Sequence, residues 1–160
     1  MAKAEQRFDG ETRELVLFSS GNLLCGLDIR QVQEINKNLE ITRVRHAPPY
    51  VRGVLNLRGQ LLTVIDLRRK LGLEMIDIDV DMRIIVAKGG EGIVGLLVDR
   101  VADIIEARVD EMEPPPSNID AVPGSFFSAI YKMEMGLAAV LDLEQVLGLS
   151  LADLFARLPA

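Results

Sequence analysis

The chain has 160 residues and a formal net charge of −6, with 49% of its residues hydrophobic and 26% charged. That length allows one domain or two very small ones, and the composition excludes a disordered chain. The acidic balance speaks against nonspecific nucleic-acid binding, and no apolar run approaches the ~20 residues of a membrane span.

In chain order, MAKAEQRFDGETRE is charged and lacks the apolar centre of a signal peptide. ELVLFSS and LLCGLDI flank Gly21-Asn22, a turn signal between two β-rich runs. Cys25 stands alone in LLCGL, so no disulfide can form within the chain, which fits a reducing cytosol. It reads as a small buried hydrophobe rather than a nucleophile. RQVQEINK is expected to be a short helical turn with Val32 and Ile35 on one side, and LEITRVR a strand. Pro48-Pro49 breaks regular structure before VLNL, which a turn at Arg58-Gly59-Gln60 joins to QLLTVID. Asp66 opens a helical turn, LRRKLGL, where its carboxylate can cap free amides. DIDVD at 77–81 lacks the glycine bend and later glutamate of a calcium loop and reads as a solvated connector.

KGGEG lies between MRIIVAK and GIVGLLVD. Without a following Gly-Lys-Ser/Thr it is a hairpin turn, not a phosphate loop. RVADIIE and ARVDEM are further expected strands. The proline-interrupted connection EMEPPPSNIDAVPGS follows, then the strands SFFSAIYKM and GLAAVLD. Asp142 starts a second helical turn. The final SLADLFARLPA (150–160) is amphipathic at helical spacing and predicts a C-terminal helix on the body.

Two stretches recur. GLDIRQVQEI aligns with GLLVDRVADI at an offset of 69, bringing Val32 onto Val101 and Glu34 onto Asp103. The unit ending in LLTVIDLRRKLGL aligns with that ending in LAAVLDLEQVLGL at an offset of 76, bringing Asp66 onto Asp142. The offset grows because the later half has the longer connection, an insertion that costs little in a loop. Two tandem halves of about five short strands each, divided at 74–81, cannot bury both faces of open sheets. Curling each half into a small barrel removes the edges, which predicts an all-β fold of two five-stranded barrels related by pseudo-twofold symmetry, with short helical turns. An exchange of a strand between barrels near a terminus is compatible with the repeat. Charge divides unevenly: 39–73 carries Arg43, Arg45, Arg52, Arg58, Arg68, Arg69 and Lys70 against two acids, whereas 74–120 carries twelve acids against four cations.

Catalysis needs an acid or base, a nucleophile, a metal site or a cofactor cradle. The only histidine, His46, sits in a loop and has no second histidine with which to hold zinc. Neither a metal nor a cofactor is expected, and a binding surface is the functional option that remains. NLRG at 56–59 is replaced by KMEM in the second copy, so the fold alone does not require Arg58. Glu34 is its candidate partner, because a guanidinium holds a carboxylate through two parallel hydrogen bonds.

VQEI, APPYVRGVLNLRG, GLLVD and the closing GLAAVLDLEQVL fall in the order seen in the CheW family of bacterial chemotaxis coupling proteins, which the chain resembles over roughly residues 12–149. The resemblance implies one CheW-like domain over 1–160, with SH3-like barrel subdomains at 14–73 and 77–149 and a helical tail at 150–160. It implies a noncatalytic adaptor that links the cytoplasmic tips of methyl-accepting chemoreceptors to the regulatory domain of the histidine kinase CheA. Such a protein is cytoplasmic and peripheral to receptor arrays at the inner membrane. Receptor binding is expected at Val32, Glu34, Ile35, Gly53, Asn56, Arg58, Val98 and Val101, and kinase binding at Leu39, Ile41, Thr42 and Val44. Two alternatives stand beside this: a coupler for pili motility or surface sensing, and a protein that binds a small ligand in the cleft between the barrels.

Overall fold

The computed structural model describes residues 10–89, 92–134 and 136–148. The first half contains β1 (Thr12–Ser20), β2 (Leu23–Asp28), β3 (Val32–Asn36), β4 (Val51–Leu57), β5 (Gln60–Asp66) and α1 (Leu67–Lys70). The second contains β6 (Arg83–Gly89), β7 (Gly92–Val98), β8 (Arg100–Arg108), the short β9 (Met112–Glu113), β10 (Asn118–Ile119) and β11 (Val122–Pro123), then β12 (Phe127–Met133), β13 (Gly136–Leu141) and α2 (Leu143–Leu147). The expected C-terminal helix at 150–160 lies outside the described residues, as does the tip of the β6–β7 hairpin at Gly90-Glu91.

The strands form two principal sheets, in the orders β3-β6-β7-β5-β4 and β8-β1-β2-β13-β12-β9. Replacing each strand of the first by its repeat equivalent gives the first five strands of the second, so the internal symmetry is obeyed strand for strand. The register obeys it too. Val64 faces Gly95 across the parallel pair β5–β7, and Val140 faces Gly26 across β13–β2. Bulges recur at equivalent places: between Val32 and Glu34 against β6, and opposite β1 where Val101 and Asp103 face Phe18 and Leu17. Val32 and Val101 are therefore equivalent, as the repeat predicts. Each sheet also closes in the same way. After β3 the chain crosses to the far edge, where Thr42 and Val54 exchange two backbone hydrogen bonds of 2.8 Å. After β8 it crosses to β12, where Glu113 of β9 pairs with Ile130. The result is two SH3-like barrels.

The boundaries of those barrels differ from the sequence expectation. Residues 14–73 do not close one barrel and 77–149 the other. The first barrel takes β3, β4 and β5 from the first half and β6 and β7 from the second, and the hairpin β1–β2 belongs to the second barrel. A whole hairpin from each half is exchanged. Three smaller expectations also change. RQVQEINK is a 3-10 turn, Ile29–Gln31, followed by strand β3. The bulge adds a residue to the strand's period of two, so Val32 and Ile35 fall three apart, a spacing that imitates a helix. LEITRVR contributes only the Thr42 bridge. RVADIIE and the start of ARVDEM are one strand, β8.

Exchange explains why the central strands are apolar on both faces. Leu15 and Leu17 face the interior of the second barrel, while Phe18 belongs to a core shared between the barrels. On β6, Ile84 and Val86 fill the first barrel, while Ile85 and Ala87 join the shared core. Strands covered on both sides read as continuous hydrophobic runs. Asp66 and Asp142 cap α1 and α2 by accepting from the amides of Arg69 and Gln145, as expected.

The duplicated glycines make a testable contrast. A Cβ on Gly95 would lie 2.8 Å from Ile84 Cγ2 and 3.2 Å from Leu62 Cδ2, whereas on Gly26 its nearest neighbour is Leu15 Cδ1 at 3.4 Å. Gly95→Ala is expected to cost about 1–3 kcal/mol by overpacking the first barrel. Gly26→Ala should be close to neutral in the same urea titration, and equal losses would show that both sites yield alike.

Candidate functional site

The turn joining β4 to β5 is made by Arg58 (φ 50°) and Gly59 (φ 87°), both left-handed as a type I′ hairpin turn requires. Glycine adopts that geometry freely, but arginine does so at a cost of about 1–2 kcal/mol. Asn56 steadies the turn, its Oδ1 accepting from the Gly59 amide at 2.9 Å. So held, Arg58 reaches across the closing edge of the barrel and forms an ion pair with Glu34 on β3. The Arg58 hydrogen bonds hold the Glu34 carboxyl below the usual glutamate value. Arg58 is 67% exposed and Glu34 26%. The expected pair is therefore formed at the surface, where solvent screening leaves such pairs little weight in stability.

Ile35, beside this pair on β3, is 39% exposed, and its repeat equivalent Ile104 on β8 is 48% exposed. Val32 and Val101 are half-buried, packed against the shared core. The equivalents of Glu34 and Arg58 are Asp103 and Glu134, two acids. Structurally matched edges thus present an ion pair in one barrel and like charges in the other.

Two expected receptor contacts are corrected by burial. Val98 is 1% exposed within the shared core and offers no surface. Gly53 is buried where the Thr42 segment crosses β4, so its lack of a side chain serves the fold. The expected kinase segment is corrected in part: Leu39 and Ile41 pack against the first barrel's own core. Thr42 has an exposed side chain on a bonded backbone, and Val44 is half-buried on the wall of a cleft.

Other polar groups are structural. Arg68 donates to Asp99 at 2.6 and 2.9 Å, and Asp99 also accepts from the Gly21 amide at 2.9 Å. Burial pushes the Asp99 carboxyl up, but these hydrogen bonds outweigh it and leave it below the ordinary aspartate value. Sequence reasoning missed this joint between the β1–β2 hairpin, α1 and the end of β7, because its three members are far apart in the chain. The connector at 74–81 is solvated as expected, exposed at every residue but Asp79, and arginines tether it: Arg68 and Arg52 donate to the carbonyls of Glu74 and Ile76, and Arg100 faces Asp79 and Asp81. Burial pushes the Cys25 thiol up to about 12, so it stays a protonated, inert hydrophobe.

A family profile described as CheW-like domain matches residues 14–150. The chemotaxis protein CheW of Klebsiella aerogenes is 31% identical over 140 residues, covering 86% of this chain and 84% of that protein. That of Rhizobium meliloti is 33% identical over 146 residues, covering 91% and 94%. The crystal structure of the scaffolding protein TtCheW from Thermoanaerobacter tengcongensis superposes with a TM-score of 0.80 at 30% identity, covering 88% of this chain and 95% of that one. With the double barrel, the NLRG turn and these matches together, the chain belongs to the CheW-like family.

Proposed function

We propose that the chain is a coupling scaffold of chemotaxis, joining the cytoplasmic tips of chemoreceptors to the regulatory domain of the histidine kinase CheA. Its relatives bear the chemotaxis name, and the solved neighbour is described as a scaffolding protein. No helix of the described residues is long and apolar enough to cross a membrane. In this reading the chain works at the cytoplasmic face of the membrane by binding membrane-anchored partners.

The observation that carries the receptor reading is the asymmetry between the two closing edges. If the Glu34–Arg58 pair were needed to close a barrel, the second barrel would need one too, yet it closes with Asp103 and Glu134. The strained arginine and the exposed Ile35 then have a binding role. The pair orients β3 so that Ile35, with the outer parts of Val32 and Val101, meets an apolar helix of the receptor, and Asn56 fixes the turn. The kinase is placed on the neighbouring 39–44 segment, where Thr42 and Val44 have side chains to offer.

Arg58→Ala keeps the left-handed turn residue nonglycine and removes the side chain beyond Cβ, guanidinium included. Its melting temperature should stay within about 2 °C of the parent, since an exposed pair adds little. Affinity for a receptor-tip fragment should fall by about tenfold or more, as for loss of a charge-assisted contact at an interface. Intact receptor binding together with a large stability loss would make Arg58 a fold residue and sink the proposal.

A further inference from the structure

The connection between β3 and β4 lines a cleft of about 570 Å³ with Arg43, Arg45 and His46, and Val44, Val51 and Met75 supply apolar wall. That volume suits a few side chains of a bound segment. Among the described residues, Arg43 and Arg45 have no ion pair and no side-chain hydrogen bond. Every other described arginine except Arg69 holds a carboxylate or a carbonyl. Acids are not scarce in a chain of net charge −6. Two cations two residues apart, both left without a partner on the same cleft, are therefore a specific departure from how this chain treats its arginines.

A second observation points to the same place. His46 is held at φ 62°, a left-handed conformation that is uncommon outside glycine. Strain of this kind persists where surrounding structure imposes it, and it clusters at binding sites. Here it turns the chain between Arg45 and the Pro48-Pro49 step, so that both arginines and the histidine border one opening.

We infer that this cleft receives a short acidic segment of a protein partner, with carboxylates against Arg43 and Arg45 and an apolar side chain against Val44, Val51 and Met75. The inference deepens the coupling role and rests on it for the existence of such a partner. Long polyanions fit poorly, because the acidic connector at 74–81 borders the cleft through Met75 and would repel a continuing chain of negative charge. Phosphate alone would leave the apolar wall unused.

The test uses the full chain and a fluorescein-labelled peptide of Asp and Glu residues interrupted by leucines, read by anisotropy at low and high salt. Saturable binding is expected, weakening as salt screens the contact. Arg43→Glu with Arg45→Glu should weaken it by about tenfold or more. Arg69→Glu, a charge reversal of an exposed arginine outside the cleft, should leave it within about twofold, as should Arg58→Ala. Equal loss in the Arg69 variant would reduce the effect to overall charge and overturn the assignment. So would absent binding, or binding of inorganic phosphate or oligo-dT as tight as that of the peptide. Because no receptor or kinase enters this assay, its failure leaves the Arg58 test untouched. Circular dichroism of the double variant identifies a folding defect, and the single charge-removing variants Arg43→Gln and Arg45→Gln then carry the comparison.

Discussion

Gly53→Ala is expected to remove about 3 kcal/mol or more of folding stability, a large part of the 5–15 kcal/mol that holds a typical domain together. Gly53 has φ 150°, and a Cβ there would lie 2.1 Å from the Thr42 carbonyl oxygen and 2.8 Å from Ile41 Cγ2. The obstacle is backbone, so no rotamer change relieves it. Moving the 39–42 segment outward would break both Thr42–Val54 hydrogen bonds and lift Leu39 and Ile41 from the first barrel's core. Gly59→Ala is the control: nothing lies within 4 Å of its Cβ, so only its φ of 87° is strained, at about 1 kcal/mol. Urea midpoints decide the matter. If Gly53→Ala lost no more than Gly59→Ala, the crossing segment would be too loosely attached to close the barrel.

Phe18→Ala is expected to cost about 3–5 kcal/mol, the range for deleting a buried aromatic ring. Phe18 is 0% exposed and lies in the core shared by both barrels, so its loss opens a cavity that each barrel must fill. Its repeat equivalent is Ala87, also fully buried in that core. One ring and one methyl group occupy the two matched positions, and the methyl has no spare volume with which to compensate. A fall in melting temperature of about 10 °C or more should follow for a chain of this size. Ile104→Ala, at an exposed position, should move it little. A Phe18→Ala shift as small as that of Ile104→Ala would mean that the barrels are not held together by this core.

Most of the strands, the two capping aspartates and the Glu34–Arg58 pair were legible in the sequence, because each follows from local pattern or from comparing one copy with the other. Strand β3, expected as a helical turn, and LEITRVR, expected as a strand, were not. The pairing of the halves was not. Strand β2 lies beside β13, but β5 of its own half carries the matching residues, with Val64 in place of Val140 opposite a glycine. Two similar halves present similar edges, so closing within a half and exchanging hairpins satisfy the same side chains. Only the distant contacts of the folded chain distinguish them. The same blindness to long-range burial placed Val98 and Gly53 on a surface, and it gave Ile41 a binding duty when it covers the barrel. The departure at Val32 and Ile35 has a local cause, since one bulged residue converts a strand's spacing into that of a helix.

The exchange of hairpins also sets an order of assembly during synthesis. All five strands of the first barrel, β3 to β7, have been made by Val98, whereas Cys25 of β2 meets its neighbour Ala139 only after 114 further residues. At about 5–20 residues per second that wait lasts roughly 6–20 s. Until then LVLF of β1 has only part of its cover, because the shared core and the second barrel still lack β12, β13 and α2, and a lone hairpin is marginal in water. Strands β1 and β2 are thus made before the first barrel but are fully covered only after it. During that interval the nascent chain carries an apolar strand edge on which a chaperone that binds such strands would act.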